Sequence, residues 1–171
     1  MNAGKSMRRR EKEITDQSTI EAIIRQSLVC RVGLSDGNQP YVVPLCFGYQ
    51  DGFLYFHAAH EGRKIDIIRR NNCVCFEFDA CVEIVENQEA CAWGMRYKSV
   101  IGFGKAVIID DAEEKRRALE IIMNQYSDRS FSFPGQSMAR TTVIRVAIES
   151  MTGKQSDTSS TGVSDNQALL R

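Results

Sequence analysis

Residues 55–71 read YFHAAHEGRKIDIIRRN, and their pattern changes halfway along. Phe53, Leu54, Tyr55 and Phe56 make an apolar, aromatic run after the turn signal Asp51-Gly52, which predicts a strand from Phe53 to His57. From Arg63 onward Ile65 and Ile68 recur at helical spacing, with Asp66, Arg69 and Arg70 between them. The junction Ala59-His60-Glu61-Gly62-Arg63-Lys64 therefore turns a strand into a helix through a glycine, with two cations at the helix mouth. Free amides at a helix N-terminus attract an anion, and Arg63 and Lys64 add charged donors. Cations in that place oppose the helix dipole unless an anion sits between them. The junction is read as a phosphate site.

Working outward, Tyr41 to Tyr49 reads as one strand with Pro44 inside it. Proline cannot donate to a ladder, so this strand is expected at an edge, bulged or opened toward a ligand. Ahead of it, Ser18 and Glu21 predict a capping box on a helix with Ile20, Ile23, Ile24 and Leu28 on one face. Val29 to Leu34 forms a strand before the turn Ser35-Asp36-Gly37-Asn38. After the helix come a strand from Cys73 to Asp79 and an acidic stretch, residues 77–89, read as a solvated connection. Val100 to Ile109 is a long strand in which Gly102 and Gly104 imply a bend or a close backbone approach. Asp110 or Asp111 caps a helix that buries Ala118, Leu119, Ile122 and Met123. Residues 127–140 are expected to form a covering loop, and Thr141 to Glu149 the last strand. Six strands joined by short turns, with three helices, predict a mainly β, antiparallel barrel with peripheral helices.

The chain has 171 residues, enough for one core, and its 22 basic residues balance 22 acidic ones, which argues against bulk nucleic-acid binding. No apolar run is long enough to span a bilayer and no signal-peptide core is present, so a cytoplasmic protein is expected. The six cysteines, at 30, 46, 73, 75, 81 and 91, include no Cys-x-x-Cys pair; they read as reduced thiols. His57 and His60 are spaced as a loose metal pair, but no carboxylate constellation accompanies them, and no metal is expected. Three segments are predicted: a basic arm at 1–13, a folded domain at 14–151 and a polar tail at 152–171.

The order of motifs resembles the pyridoxamine 5'-phosphate oxidase-like flavoproteins, and within them the nitroimidazole-resistance branch. The residues that carry the resemblance are Tyr41-Val42-Val43-Pro44-Leu45, then Tyr55-Phe56-His57 through Glu61-Gly62-Arg63-Lys64-Ile65-Asp66 to Asn71. Tyr97-Lys98-Ser99-Val100-Ile101-Gly102-Phe103-Gly104-Lys105-Ala106 and Met151-Thr152-Gly153-Lys154 complete it. The resemblance implies a six-stranded split β-barrel and a homodimer with FMN, or possible alternatives FAD and a deazaflavin, at the subunit interface. It implies that Gly62, Arg63 and Lys64 hold the phosphate, and that Val43, Pro44 and Leu45 lie along the flavin ring. His57, Ala58 and Ala59 would line the ribityl side, with His57 a candidate catalytic residue. Trp93, Tyr97, Lys98 and Ser99 would contact the cofactor from the other subunit. The substrate would be a small molecule such as a nitro-aromatic, and the protein an oxidoreductase. The chain ends in a Ser/Thr/Asp/Gln tail where true pyridoxamine-phosphate oxidases have a C-terminal segment with Arg and His, which argues against vitamin B6 oxidation. The alternative is a non-catalytic flavin- or haem-binding protein with His57 or His60 as axial ligand.

Overall fold

A computed structural model describes residues 7–156. The acidic carboxylate of Asp16, not Ser18, caps the first helix, α1 (Gln17–Gln26), by accepting the Thr19 amide at 2.8 Å. Ser18 instead donates its hydroxyl to Asp16 at 2.6 Å. Hydrogen bonds from Ser18 and then Thr19 hold the Asp16 carboxyl down at about 2. Ile20, Ile23 and Ile24 are buried as their spacing requires, but Leu28 lies past the helix end and is 71% exposed.

The strands are β1 (Glu13–Ile14), β2 (Cys30–Asp36), β3 (Gln39–Leu45), β4 (Gly48–Gln50), β5 (Phe53–Ala58), β6 (Cys73–Val85), β7 (Gly94–Ile109) and β8 (Thr142–Ser156). They form one antiparallel sheet of eight strands rather than six, in the order β3-β2-β6-β7-β8-β5-β4, with β1 on β8. The second predicted strand is broken at Cys46-Phe47, where the chain leaves β3 and enters β4. Two other expectations fell short in length. The acidic stretch is strand as far as Val85, with Cys81 at φ 54° in the irregularity between Ala80 and Glu83. Arg96 pairs across the ladder with Glu83, which supplies the partner that the acidic run lacks locally. Strand β8 continues through Thr152 to Ser156, into the segment expected as tail, because Ser99 and Tyr97 of β7 stand as ladder partners to its Lys154 and Ser156.

The sheet curls around Phe47, Phe56, Phe76, Phe78, Leu54, Val100 and Ile144, all almost wholly buried. Its two ends approach one another, since Val43 and Leu45 of β3, Phe56 of β5 and Ile144 of β8 share the wall of one internal cavity. No ladder joins β3 to β5, so the barrel has a seam. Helix α2 (Arg63–Arg70) packs Ile65, Ile67 and Ile68 into the core beside it. Helix α3 (Ala112–Asn124), capped by Asp111 on the Glu114 amide, lies outside β5 and β8, where Ala118 and Leu119 meet Tyr55, Ile109 and Val143. Residues 127–141 include a short helix, α4 (Gly135–Ala139).

Two close contacts fix this curvature. A Cβ on Gly102 would fall 2.1 Å from Phe76 Cζ, and one on Gly48 2.7 Å from the α3 backbone at Ile121. Tyr126 ties the break after β3 to the link between α1 and β2, accepting from the Phe47 amide at 2.9 Å and donating to the Leu28 carbonyl at 2.9 Å.

Gly102→Ala is expected to cost about 1–3 kcal/mol by overpacking the Phe76 ring, read from chemical denaturation midpoints. Burial pushes the Tyr126 hydroxyl up to about 12 and also raises Cys30, Cys75, Tyr49 and Tyr55. The fold favours their neutral forms, so this stabilisation is complete below their unfolded values and is lost as pH rises through the folded ones. Stability should therefore fall from about pH 9 upward, and Tyr126→Phe should show a smaller fall between pH 8 and pH 11, although it is weaker at neutral pH.

Candidate functional site

The strand-to-helix junction is built from the backbone first. Gly62 stands at φ 132°, a conformation a side chain would strain, and no side chain caps α2. The Ile65 and Asp66 amides return to the Gly62 carbonyl at 2.9 and 3.2 Å. The amides of Arg63 and Lys64 come before any intrahelical acceptor and are left to face outward. An anion placed there meets main-chain donors at the positive end of the helix.

The side chains around the mouth are charged and unequally satisfied. Arg63 Nε lies 3.6 Å from Asp36 Oδ2, and its guanidinium sits over the Tyr41 ring, 4.6 Å from the centroid. Arg70, in the last turn, reaches the other oxygen of Asp36 at 2.7 Å. Part of the repulsion that the sequence leaves at this helix start is thus relieved within the chain, by a carboxylate from the end of β2. Lys64 has no ion pair among the described residues, so the unbalanced charge is its own.

The seam beside this mouth is shut on the inside. Val43, Leu45, Phe56, Lys64 and Ile68 line a cavity of about 10 Å³, at the limit for one water. A ring system has no room within the barrel at this seam. Val43 and Leu45 are turned inward against the core, whereas Val42 and Pro44 face out. Of the three residues expected along the ring, only Pro44 therefore presents its side chain outside; Val43 and Leu45 offer main chain. β3 pairs only with β2, so its other edge is open, and Pro44 is tolerated there.

His57 points to the opposite surface of β5 from the barrel core. It lines an apolar cavity of about 210 Å³ with Met123, Phe133, Met138, Leu119 and Ile122, and nothing among the described residues hydrogen-bonds its ring. Ala58 is buried inward and Ala59 is exposed at the strand end. His60 is committed elsewhere: Nδ1 pairs with Thr142 Oγ1 at 2.9 Å and Nε2 with the Ala139 carbonyl at 2.5 Å. Since the carbonyl only accepts, Nε2 carries the hydrogen and donates to it. Both nitrogens of His60 are used in pinning α4 to β8. Among the described residues no group of three His, Cys, Asp or Glu side chains is placed to hold a metal ion.

Trp93, Tyr97, Lys98 and Ser99 do not join this constellation within one chain. Trp93, 51% exposed, donates its indole N–H to the Asn87 carbonyl at 2.7 Å, at the turn between β6 and β7. Lys154 sits over the Tyr97 ring, 5.6 Å from its centroid. Lys98 and Ser99 of β7 pair with Ala80 and Asp79 of β6 and with Gln155 and Lys154 of β8. Asp36, Tyr41 and Arg70 belong to the site and were read only as turn, strand and helix residues. The one available signal was an acidic residue in a tight turn, and nothing local shows that the turn folds back onto α2.

The family model described as pyridoxamine 5'-phosphate oxidase matches residues 16–155. None of the curated proteins matches the chain. Among solved structures, a candidate 5-nitroimidazole antibiotic resistance protein from Bacteroides thetaiotaomicron VPI-5482 is 41% identical, with a TM-score of 0.77 over 84% of this chain and 86% of that one. The flavocytochrome Anf3 from Azotobacter vinelandii superposes with a TM-score of 0.79 at 20% identity, over 92% of this chain and 75% of that one. An FAD- and haem-binding protein from Mycobacterium smegmatis does so at 0.78 and 18% identity, over 85% and 74%. These last two share the fold.

His60→Ala is expected to free α4 without unfolding the barrel. Hydrogen exchange should accelerate at residues 135–141 while the core amides of β7 and β8 keep their protection.

Proposed function

This chain belongs to the pyridoxamine 5'-phosphate oxidase family, in its nitroimidazole-resistance branch, and on that footing we propose that it is an FMN-binding oxidoreductase that reduces small molecules such as nitro-aromatics. The observation that carries this reading is the mouth of α2, where free amides, Arg63 and an unpaired Lys64 converge beside an open strand edge. Gly62 lets the backbone approach the phosphate, Arg63 and Lys64 bind it, and the outer edge of β3 at Val43-Pro44-Leu45 carries the ring. FAD shares that first phosphate and would use the same residues. FMN supplies the electron-transfer chemistry when bound, and the protein supplies binding, orientation and exclusion of water. The substrate class follows the resistance protein from Bacteroides thetaiotaomicron, 41% identical to this chain.

The working form is a homodimer with the cofactor at its interface. Outward-facing residues form rows across four strands: Val42, Gly33, Cys75 and Phe103 in one, Pro44, Arg31, Glu77 and Ile101 in the next. Val42, Phe103 and Ile101 are 60%, 55% and 46% exposed. Exposed apolar side chains of this kind favour association, and the second row begins at Pro44, where the ring would lie. A second copy would also bring Trp93, Tyr97, Lys98 and Ser99 to a site whose described contacts do not include them within one chain. Among the described residues no helix is long and apolar enough to cross a membrane. The six free cysteines fit a cytoplasmic location.

A second reading rests on His57. Its unpartnered ring above Met123, Met138 and Phe133 suits an axial ligand to haem, whereas the ring nitrogens of His60 are both engaged.

Purified protein is expected to be yellow and to bleach with NADH or NADPH. Arg63→Ala with Lys64→Ala should lose the bound flavin; retention at full occupancy removes the phosphate assignment. A Soret band on haem addition that disappears in His57→Ala and survives in His60→Ala would instead support the second reading.

A further inference from the structure

We propose that Asp36, the last residue of β2, is a positioning residue that aims Arg63 at the phosphate. The inference rests on the phosphate reading of the α2 mouth given above. Arginine is a long, flexible side chain, and fixing it on binding costs conformational entropy. Here two contacts restrain it in advance. The Nε edge of Arg63 faces Asp36 Oδ2 at 3.6 Å, and one face of its guanidinium lies on the Tyr41 ring at 4.6 Å. Asp36 and Tyr41 both come from the β2–β3 hairpin, where Asp36 stands opposite Gln39 and Tyr41 opposite Leu34. With the Nε edge and one face taken, the Nη1–Nη2 edge is the one left to present two parallel N–H groups. That edge matches two oxygens of a phosphate.

A carboxylate near a phosphate site also repels the ligand, so its charge has to be cancelled. Arg70 does this. It holds Asp36 Oδ1 at 2.7 Å, closer than Arg63 approaches the other oxygen. Arg70 stands in the last turn of α2, where the helix dipole favours a cation. Asp36 is therefore anchored and neutralised by Arg70 and only steers Arg63. The order of the two distances separates positioning from sequestration: a carboxylate closer to Arg63 would mask it.

The test compares FMN with riboflavin, which has the same ring and no phosphate, by fluorescence titration of the flavin-free full chain. Asp36→Asn is expected to weaken FMN about fivefold, the scale of one exposed ion pair, and to leave riboflavin unchanged. Arg70→Gln is expected to act in the same direction and with the same selectivity, because Asp36, released, closes onto Arg63. Arg70 is exposed, so this variant carries the test if Asp36→Asn does not fold. FMN bound as tightly as before or more tightly, or FMN and riboflavin weakened equally, would overturn the assignment. Arg63→Ala separates the two claims. If it leaves FMN binding intact, the phosphate reading itself falls. If it weakens FMN while Asp36→Asn and Arg70→Gln do not, the role of Asp36 falls alone.

Discussion

A proline in an edge strand sets the form of this protein. Pro44 cannot donate a backbone hydrogen bond, and the sheet ends at the strand that holds it. The curl of the remaining strands brings β3 toward β5 without pairing the two, so a buried seam is left where a closed barrel would have a ladder. Such a seam has to be covered, since unpaired main chain in an apolar interior is costly. Helix α2 covers it with Ile65, Ile67 and Ile68. The same placement sets the positive end of α2 beside the open edge of β3. Gap, plug and candidate anion site stand together at the edge that Pro44 leaves unpaired.

Charge around that plug is distributed with some economy. Both ends of α2 carry arginine, and one carboxylate from a neighbouring hairpin answers both. The carboxylate stands closer to the arginine of the last turn, at 2.7 Å, than to that of the first, at 3.6 Å. Lys64 is left unbalanced. This imbalance, more than the number of basic residues, distinguishes the junction from a solvated helix start. His57, two residues before Ala59, lies on the other surface of the sheet and faces a separate, apolar cavity. The alternation of β5 separates it from the barrel interior, and any chemistry at His57 belongs to the α3–α4 side.

Much of the architecture could be read from local pattern. The strand–helix switch at Gly62, the edge position of the Pro44 strand, the isoleucine faces of α1 and α2, and the crowding at Gly102 all follow from side-chain period or from what proline and glycine can do. Where reading failed, the missing partner was distant. Glu83 looked like solvated loop until Arg96 stood across from it, and residues 152–156 looked like tail until β7 supplied a ladder. Asp16 displaced Ser18 as the cap because the two compete for the same few amides, and spacing alone does not rank them.

The sequence by itself determined where the backbone must turn, which strand could not be central, and where cations crowd a helix start. These depend on residues within a few positions of one another, whose conformational limits act before any folding. Tertiary structure decided what the cations meet. Asp36 and Tyr41 reach Arg63 only because the β2–β3 hairpin folds over the first turn of α2, and Val43 and Leu45 turn inward only because the sheet curls. Contacts between segments some thirty residues apart leave no local trace in composition or period, so the orientation of the candidate site, unlike its location, had to come from the fold.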